Sequence, residues 1–430
     1  MTVEPDTSTI IDELSRAWAK HDLDDLSSDA VKNLTAGSAT DWGMPANAHS
    51  SIKAISLGSG IPDPDTLPRV ELLAAMKRVL QASEDSALRY GGGIGYEPLR
   101  AALADRYTRD RHVPVDASYF LLTNGSAGAI DLVCSAFLSP GDIVIAEAPT
   151  FSGSLRTFRG HRADIISVGM DEEGLDTNAL SDLLERLTAE GKRAKLIYTI
   201  SNFHNPAGSS MSVERRKELL VLAANHGALI IDDDAYGEFS YSDNPATTLS
   251  ELAKVQGVIT VSTFSKIMAT GLRVGWIHAE PALIERVIRI RFEMGNSPLL
   301  HQMLYEFMKN GRLDEHIVQM RQLYSEKRDA LISALHEYCE PYLSFRKPAG
   351  GFFLWATLHE GLNALEVHRA ATANGVYCAY GDAFFADQTD PGEHLRLAFS
   401  EVALRDIPEA ARRLAAACEQ VAKDSAGWQI

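Results

Sequence analysis

From Tyr119 onward the chain alternates short apolar runs with amphipathic stretches. The runs are YFLLT (119–123), DIVIAEA (142–148), AKLIYTI (194–200), GALIIDD (227–233) and GVITVST (257–263). Apolar runs of this length separated by helical patterns predict a mostly parallel sheet with crossover helices. After YFLLT, Ile130, Val133, Cys134 and Phe137 recur at i, i+3, i+4 and i+7, one buried helix face. That helix opens at the turn Asn124-Gly125-Ser126. A second helix is predicted from Ser212, with Glu214 in its first turn, Leu219, Leu222 and Ala223 on one face, and a stop at Gly227. The buried strand GALIIDD follows at once.

Beyond about residue 300 the pattern changes to long helices, notably LDEHIVQMRQLYSEKRDALISALHEY, then short strands around GGFFLWATL and HLRLAFS and a closing helix from Asp406. This predicts a second, smaller domain. The expected division is an N-terminal segment 1–80 that joins the small domain, a large domain 81–305, and a C-terminal small domain 306–430. A helix over about 10–18 and a polar stretch over 24–41 are expected near the start. No internal repeat, low-complexity segment or Pro/Gly/Ser-rich linker interrupts the chain.

Composition narrows the class. With 430 residues, 45% apolar and 23% charged, the chain has the balance of a globular protein with a sizeable core. Its 58 acidic against 41 basic residues leave a formal charge of −17, which opposes general affinity for nucleic acid or an anionic membrane. No apolar stretch reaches membrane-spanning length, and the opening MTVEPDTSTIIDEL is acidic, so a cytoplasmic location is expected. Cys134, Cys339, Cys378 and Cys418 lie far apart, without the spacing of a zinc or redox motif.

Three segments carry chemistry. In STFSKIMATGLRVGW, Lys266 follows the strand GVITVST and precedes Arg273 by seven residues. A lone lysine is ordinarily a solvated surface residue. This one lies beyond the end of a predicted parallel strand, where open α/β sheets place ligands, among hydroxyls and a guanidinium able to hold a phosphate. In IIDDDAYGEF an apolar strand runs into three aspartates, with Tyr236 three residues after Asp233. Successive strand residues face opposite ways, so the three carboxylates do not converge on one cation without a break. The third segment, SNFHNPAGSS, is an Asn-Pro turn that alone reads as a connecting loop.

Taken together, LGSGIPDPDTLP, LRYGGGIGYEPLR, LLTNGSAGAIDLV, EAPTF, HNPAG, DDDAYGEF, TFSKIMATGLRVGW, PAGGFFLW and HLRLAFS resemble, in order, the motifs of the fold type I pyridoxal phosphate enzymes. The resemblance is to class I/II aminotransferases of the 2-aminoadipate and aromatic type, and it covers nearly the whole chain. It implies an α/β fold with a large domain built on a mostly parallel central sheet and a smaller α+β domain from the two chain ends. It further implies that Lys266 forms the Schiff base with pyridoxal 5′-phosphate and then shuttles the substrate proton. Asp233 would pair with the pyridine nitrogen, and Tyr236 and Asn205 would donate to the phenolic oxygen. Backbone N–H groups of Ser126 and Ala127 at a helix N-terminus, with Thr263, Ser265 and Arg273, would hold the phosphate. Tyr90 would reach that phosphate from the other subunit of a homodimer. The glycine run after it does not fit a dinucleotide loop, because Gly91, Gly93 and Tyr96 break the spacing and no strand precedes.

Phe151 falls where the family stacks an aromatic ring on the cofactor. Arg396 matches the arginine that binds the substrate α-carboxylate, with Gly60 closing over it and Asn205 alongside. His204, Thr270 and Gly128 depart from common family residues and would alter the walls of the site. The side-chain pocket is expected from the Trp42–Asp63 segment, the partner subunit and Met294 to Leu300. No arginine for a second carboxylate is evident, Arg69 being one candidate. The implied activity is transfer of an α-amino group between an L-amino acid and a 2-oxo acid. The same electron sink also serves γ-elimination, γ-replacement and carbon–carbon bond formation, for example on a sulfonium amino acid such as S-adenosylmethionine, which is the alternative reading. This fold also occurs fused to DNA-binding winged helices. The roughly 50 residues preceding it here are acidic and short for such a domain, so no nucleic-acid or membrane partner is expected.

Overall fold

The computed structural model describes residues 7–32, 34, 52–82, 85–242, 247–387 and 392–427. Its strands, in chain order, are β1 (Ile55–Ser56), β2 (Phe120–Thr123), β3 (Ile143–Ala148), β4 (Asp164–Asp171), β5 (Gly174–Leu175), β6 (Ala194–Thr199) and β7 (Leu229–Asp233). They continue with β8 (Val258–Thr263), β9 (Gly275–His278), β10 (Leu343–Phe345), β11 (Phe353–Leu358), β12 (Val376–Tyr377), β13 (Ala379–Tyr380) and β14 (His394–Ala398). An eight-stranded sheet has the order β2-β9-β8-β7-β6-β3-β4-β5. Its centre, β8-β7-β6-β3-β4, is parallel, while β9 runs antiparallel to both β2 and β8, and β5 antiparallel to β4.

The continuous apolar runs arise because each central strand feeds two cores. Val144, Ala146, Leu196, Tyr198, Ile231, Ile259 and Val261 pack on one face, against the helices Gly125–Phe137 and Pro281–Ile290. The alternate residues Ile143, Ile145, Ile197, Ile230 and Val258 pack on the other, with Leu180, Leu184, Leu219 and Ala223 from the helices Thr177–Ala189 and Val213–His226. With both faces covered, alternation of side chains gives few polar positions before the strand ends, Thr260 of β8 being one. The helix Val213–His226 is bounded as its sequence predicts: Ser212 Oγ accepts from the Arg215 N–H at 3.3 Å, and Gly227 closes it at φ 78°.

A smaller antiparallel sheet, β10-β11-β14-β13, packs with the helices Arg312–Tyr338, Ala364–Ala373 and Ile407–Gly427. β1 pairs parallel to β12, Ile55 opposite Val376, so the N-terminal part of the chain joins the C-terminal part. Two features escape the sequence pattern. The segment between β3 and β6 contains β4, β5 and two helices, and GWIH forms the antiparallel β9. β4 exposes several positions, so its hydrophobic signal is weak. The expected N-terminal helix is present as Thr7–Trp18, with Ile10, Ile11, Leu14 and Trp18 exposed. Trp42 and residues 33 and 35–41 of the expected polar stretch lie outside the described residues. Among the described residues no helix is long and apolar enough to cross a membrane.

Candidate active site

The ends of β2, β7 and β8, where side chains and helix N-termini meet at the carboxyl edge of the parallel strands, assemble the chemistry. β8 ends at Thr263 and turns into the one-turn helix Phe264–Ile267, which carries Lys266. Lys266 Nζ donates to the Gly60 carbonyl at 2.7 Å and lies 5.8 Å from the Tyr236 ring centre. Asp233 ends β7 and is 4% exposed. Its Oδ2 accepts from the Tyr198 hydroxyl at 2.8 Å, while the buried Oδ1 has no hydrogen-bond partner. Burial pushes Asp233 up to about 6; the neighbouring Asp234 charge adds to this, and the Tyr198 hydrogen bond and Lys266 oppose it.

Strand parity separates the three aspartates. Asp233 shares the face of Ile231, Asp232 turns to Ser201 at 2.7 Å, and Asp234 pairs with Arg111 at 2.8 Å and accepts from Asn202 at 2.8 Å. Each carboxylate therefore has its own partners. Burial and the Asp234 charge raise Asp232 above the usual carboxylate range.

An anion cradle forms at the ends of β2 and β8. Ser126 and Ala127 lie in the first turn of the helix Gly125–Phe137, whose leading N–H groups have no helical acceptor. Arg273, at φ 50°, points its Nη1 to Ser265 Oγ and its Nη2 to the Asn124 carbonyl, both at 3.4 Å. Thr263 Oγ1 donates to Ser265 Oγ at 2.9 Å. Backbones crowd here: a Cβ on Gly125 (φ 69°) would stand 2.9 Å from Arg273 Nη2, and one on Gly275 would stand 2.5 Å from the Ser262 carbonyl oxygen. The cradle is open only because both are glycine.

From the smaller sheet comes Arg396, 1% exposed on β14. Its Nη1 donates to Asn205 Oδ1 at 2.9 Å and its Nη2 to the Gly58 carbonyl at 2.6 Å. The guanidinium lies 4.4 Å from the Phe353 ring centre and 4.9 Å from that of Phe384. Phe353 also meets Tyr236 edge-on at 5.4 Å. Trp355 stands directly opposite Arg396 in the ladder and stacks on His394 at 5.0 Å. These two rings line a cleft of ≈ 900 Å³ with Pro149, Gly208 and Phe385.

The structure thus brings together Lys266 with Gly60, Gly60 with Phe353, and Arg396 with Phe353, Gly58 and Asn205. Phe151 caps the helix Ser152–Gly160 beside Gly153, half-buried against the sheet core. Tyr90 does not join the site within one chain and is 88% exposed. His204 turns inward: its Nε2 meets Glu147 at 3.0 Å and its Nδ1 accepts from the Ala207 N–H, so it braces the Asn205 loop and is no wall of the site. Thr270 opens a short 3-10 turn whose carbonyl accepts from Arg273, and Gly128 sits against Asn124. Met294 is exposed and Arg69 begins the helix Arg69–Ala82 on the surface. Sequence reasoning missed Tyr198 and Ser154, whose hydroxyls form a chain to Asp233: Ser154 Oγ donates to Tyr198 Oη at 2.8 Å. The one signal for Tyr198 was a polar tip within an otherwise apolar run.

Residues 52–414 match the family described as aminotransferase class I and II. The chain is 38% identical over 365 residues to an aromatic-amino-acid aminotransferase of Thermococcus litoralis, covering 84% of this chain and 87% of that protein. Its fold is similar to the multiple substrate aminotransferase of Thermococcus profundus, with a TM-score of 0.87 and 34% identity, covering 94% of this chain and 100% of that one. It is also similar to the α-aminoadipate aminotransferase of Thermus thermophilus solved with N-(5′-phosphopyridoxyl)-L-leucine, with a TM-score of 0.84 and 29% identity over 93% of this chain and 99% of that one. None of these matches favours the γ-replacement alternative. The chain therefore belongs to the class I and II aminotransferases, enzymes of the fold type I group that transfer amino groups with pyridoxal phosphate.

Proposed function

We propose that the protein moves the α-amino group of an L-amino acid to a 2-oxo acid, with Lys266 as the residue that carries the cofactor and moves the proton. The observation that carries this reading is that the Lys266 amine and the Arg396 guanidinium donate to carbonyls two residues apart, Gly60 and Gly58, while the half-unpartnered Asp233 carboxylate lies within electrostatic reach of Lys266. The residues fit pyridoxal phosphate. Asp233 Oδ1 is a buried acceptor lacking a donor, which a protonated ring nitrogen supplies, and the Gly125–Arg273–Ser265 cradle suits a phosphate. When bound there, the ring supplies an electron sink for the charge left at the substrate α-carbon.

The chain's own residues do the rest. Asp233 holds the ring-nitrogen proton, and its elevated pKa matches a carboxylate that is buried to meet a cation. Tyr236 and Asn205 donate to the ring's phenolic oxygen. Ser126, Ala127, Thr263, Ser265 and Arg273 would hold the phosphate, and Phe151 would pack against the ring. Arg396 offers a planar fork to the α-carboxylate, with Asn205 Oδ1 and the Gly58 carbonyl fixing its orientation. Lys266 Nζ would accept the proton given up at the substrate α-carbon and hold it for return. Monocarboxylic donors, aromatic ones first, are the expected substrates, since Arg346 at the cleft beside Trp355 is already paired with Glu172.

The protein acts as a homodimer in the cytoplasm, its large domain spanning 81–305 and its small domain combining part of 1–80 with 306–430. Support for the dimer comes from Val70, Leu73, Leu88, Tyr90 and Phe292, which are 68–93% exposed and apolar or aromatic. A partner covering them would place Tyr90 at a neighbouring cradle. The test is the absorption spectrum of the pyridoxal phosphate-loaded protein during addition of single amino acids, with assay of 2-oxo acid release. Lys266→Ala is expected to lower turnover roughly 10²- to 10⁴-fold or more while the fold persists. Turnover retained in that variant, or no 2-oxo acid from any donor, would refute the proposal.

A further inference from the structure

The segment that carries Gly60 is held by a buried cation far from it in sequence. Lys327, 1% exposed on the helix Arg312–Tyr338, donates to the Asp63 carboxylate and, at 2.8 Å, to the Ser400 carbonyl. Ser400 follows β14 and its hydroxyl donates to the Ile61 carbonyl at 2.7 Å. One helical turn before Lys327, the Tyr324 hydroxyl accepts from the Asp63 N–H at 3.0 Å. At the other end of the same segment, Leu57 accepts from the Ala398 N–H at 2.6 Å and Gly58 accepts from Arg396. A single ammonium thus ties the end of the strand bearing Arg396 to the end of the segment bearing Gly60.

We infer that Lys327 is a positioning residue that sets the spacing of Gly60 and Arg396, and through it the fit of the substrate α-carboxylate. Stability alone does not call for a charge at this place. A buried ion pair often contributes no more than well-packed apolar side chains of the same volume, because desolvation offsets its attraction. Burial depresses the Lys327 amine and Asp63 opposes that effect, as expected of a cation kept charged by one partner. What the ammonium has and an apolar group lacks is several donors at one point, able to fix two backbone segments at once. The freedom being removed is small but costly: a Cβ on Gly60 would already lie 2.4 Å from the Phe353 ring, which itself packs on Arg396.

The inference rests on the reading that Arg396 and Gly60 hold the α-carboxylate. It is tested on the holoenzyme with Lys327→Met, measuring kcat and KM for an amino donor and the dissociation constant of 3-phenylpropionate, a carboxylate that cannot react, by spectral titration. KM and that dissociation constant are expected to rise roughly tenfold or more, with kcat changed much less, the outcome of a misplaced binding group. Asp63→Asn, which keeps the shape and weakens the acceptor, is expected to show a smaller change of the same kind. It decides the matter if Lys327→Met does not fold. Arg396→Ala serves as the reference. If Arg396→Ala leaves 3-phenylpropionate binding intact, the carboxylate reading fails and takes this inference with it. If Arg396→Ala weakens binding while the folded Lys327 and Asp63 variants lose only melting temperature, Lys327 is structural and the inference alone is overturned.

Discussion

Replacing Tyr198 with phenylalanine removes one oxygen and leaves the ring beside Phe158 at 5.4 Å. That oxygen is the donor to Asp233 Oδ2 at 2.8 Å and the acceptor for Ser154. A hydrogen bond to a charged group is worth about 1.5–3 kcal/mol, or about one to two pKa units at about 1.4 kcal/mol each. Asp233 stands at about 6 with the bond in place, so its loss carries the carboxyl to roughly 7–8. At pH 7 the cofactor-free wild type is then about nine-tenths ionised, and the variant between about one half and one tenth. If only the carboxylate pairs with the ring nitrogen, pyridoxal phosphate binds the variant about 2- to 10-fold more weakly at pH 7. The deficit shrinks to less than about 1.5-fold by pH 8.5. The assay is the dissociation constant of pyridoxal phosphate for both apo-proteins between pH 6 and 8.5. Taking the ratio at each pH cancels titrations common to both. The same shift acts on stability. A carboxyl raised in the fold favours the folded state at low pH and loses that contribution as pH rises from about 4 to 6, and the variant should extend the loss to higher pH. A ratio that stays flat with pH would show that Tyr198 does not govern the charge of Asp233.

Two further outcomes follow from the geometry of the smaller sheet. Arg396→Lys keeps the charge but cannot reach Asn205 and Gly58 while also presenting a planar fork, so KM for amino acid and 2-oxo acid should rise on the order of 10²-fold, with the bound cofactor's spectrum retained. An unchanged KM would place the carboxylate elsewhere. Gly60→Ala drives a methyl to 2.4 Å from Phe353, and overpacking of this kind costs about 1–3 kcal/mol, read as a lowered melting temperature together with a raised KM. A melting temperature equal to that of the wild type would show that the segment has room the contacts deny.

Much of this site was legible because its signals are local. Thr263 through Arg273 sit at the end of an uninterrupted apolar strand, and Asn124-Gly125-Ser126 opens a helix by turn chemistry that any reader of the chain meets. The caps Ser212 and Gly227 were equally plain. What was hidden depends on pairing across the fold. β9 runs antiparallel because of its place between β2 and β8, and four residues, GWIH, carry no mark of direction. Tyr198 reads as core, and only the register of β6 against β7, which sets Tyr198 opposite Ile231 and so on the face of Asp233, makes it a partner of that acid. Lys327 lies in an amphipathic helix whose charged residues otherwise read as solvent-facing, and its partner Asp63 is 264 residues away. His204 reads as a wall residue from its neighbours and is turned away by Glu147, a buried carboxylate with no signal but its place in a strand.

The three consecutive aspartates show how one acid is selected from a run. Burying three carboxylates side by side is unfavourable unless each charge is answered. Parity sends Asp232 to the opposite face, where Ser201 donates to it and the Arg216 cation, itself bonded to Ser201 and Asn202, lies near. Beyond the strand end, Asp234 is paired with Arg111. Asp232 Oδ2 and Asp233 Oδ1 both lack a hydrogen-bond partner, and of the two only Asp233 lies on the face that Tyr198 shares. Because the Asp234 charge pushes Asp233 upward, the Arg111 pair does more than hold the loop: by screening Asp234 it lowers the cost of ionising the acid next to it. The basicity of Asp233 is therefore set from two sides, by a hydroxyl on its own face and by a guanidinium one residue away. A cation arriving at Oδ1 meets the oxygen of Asp233 that the fold leaves without a donor.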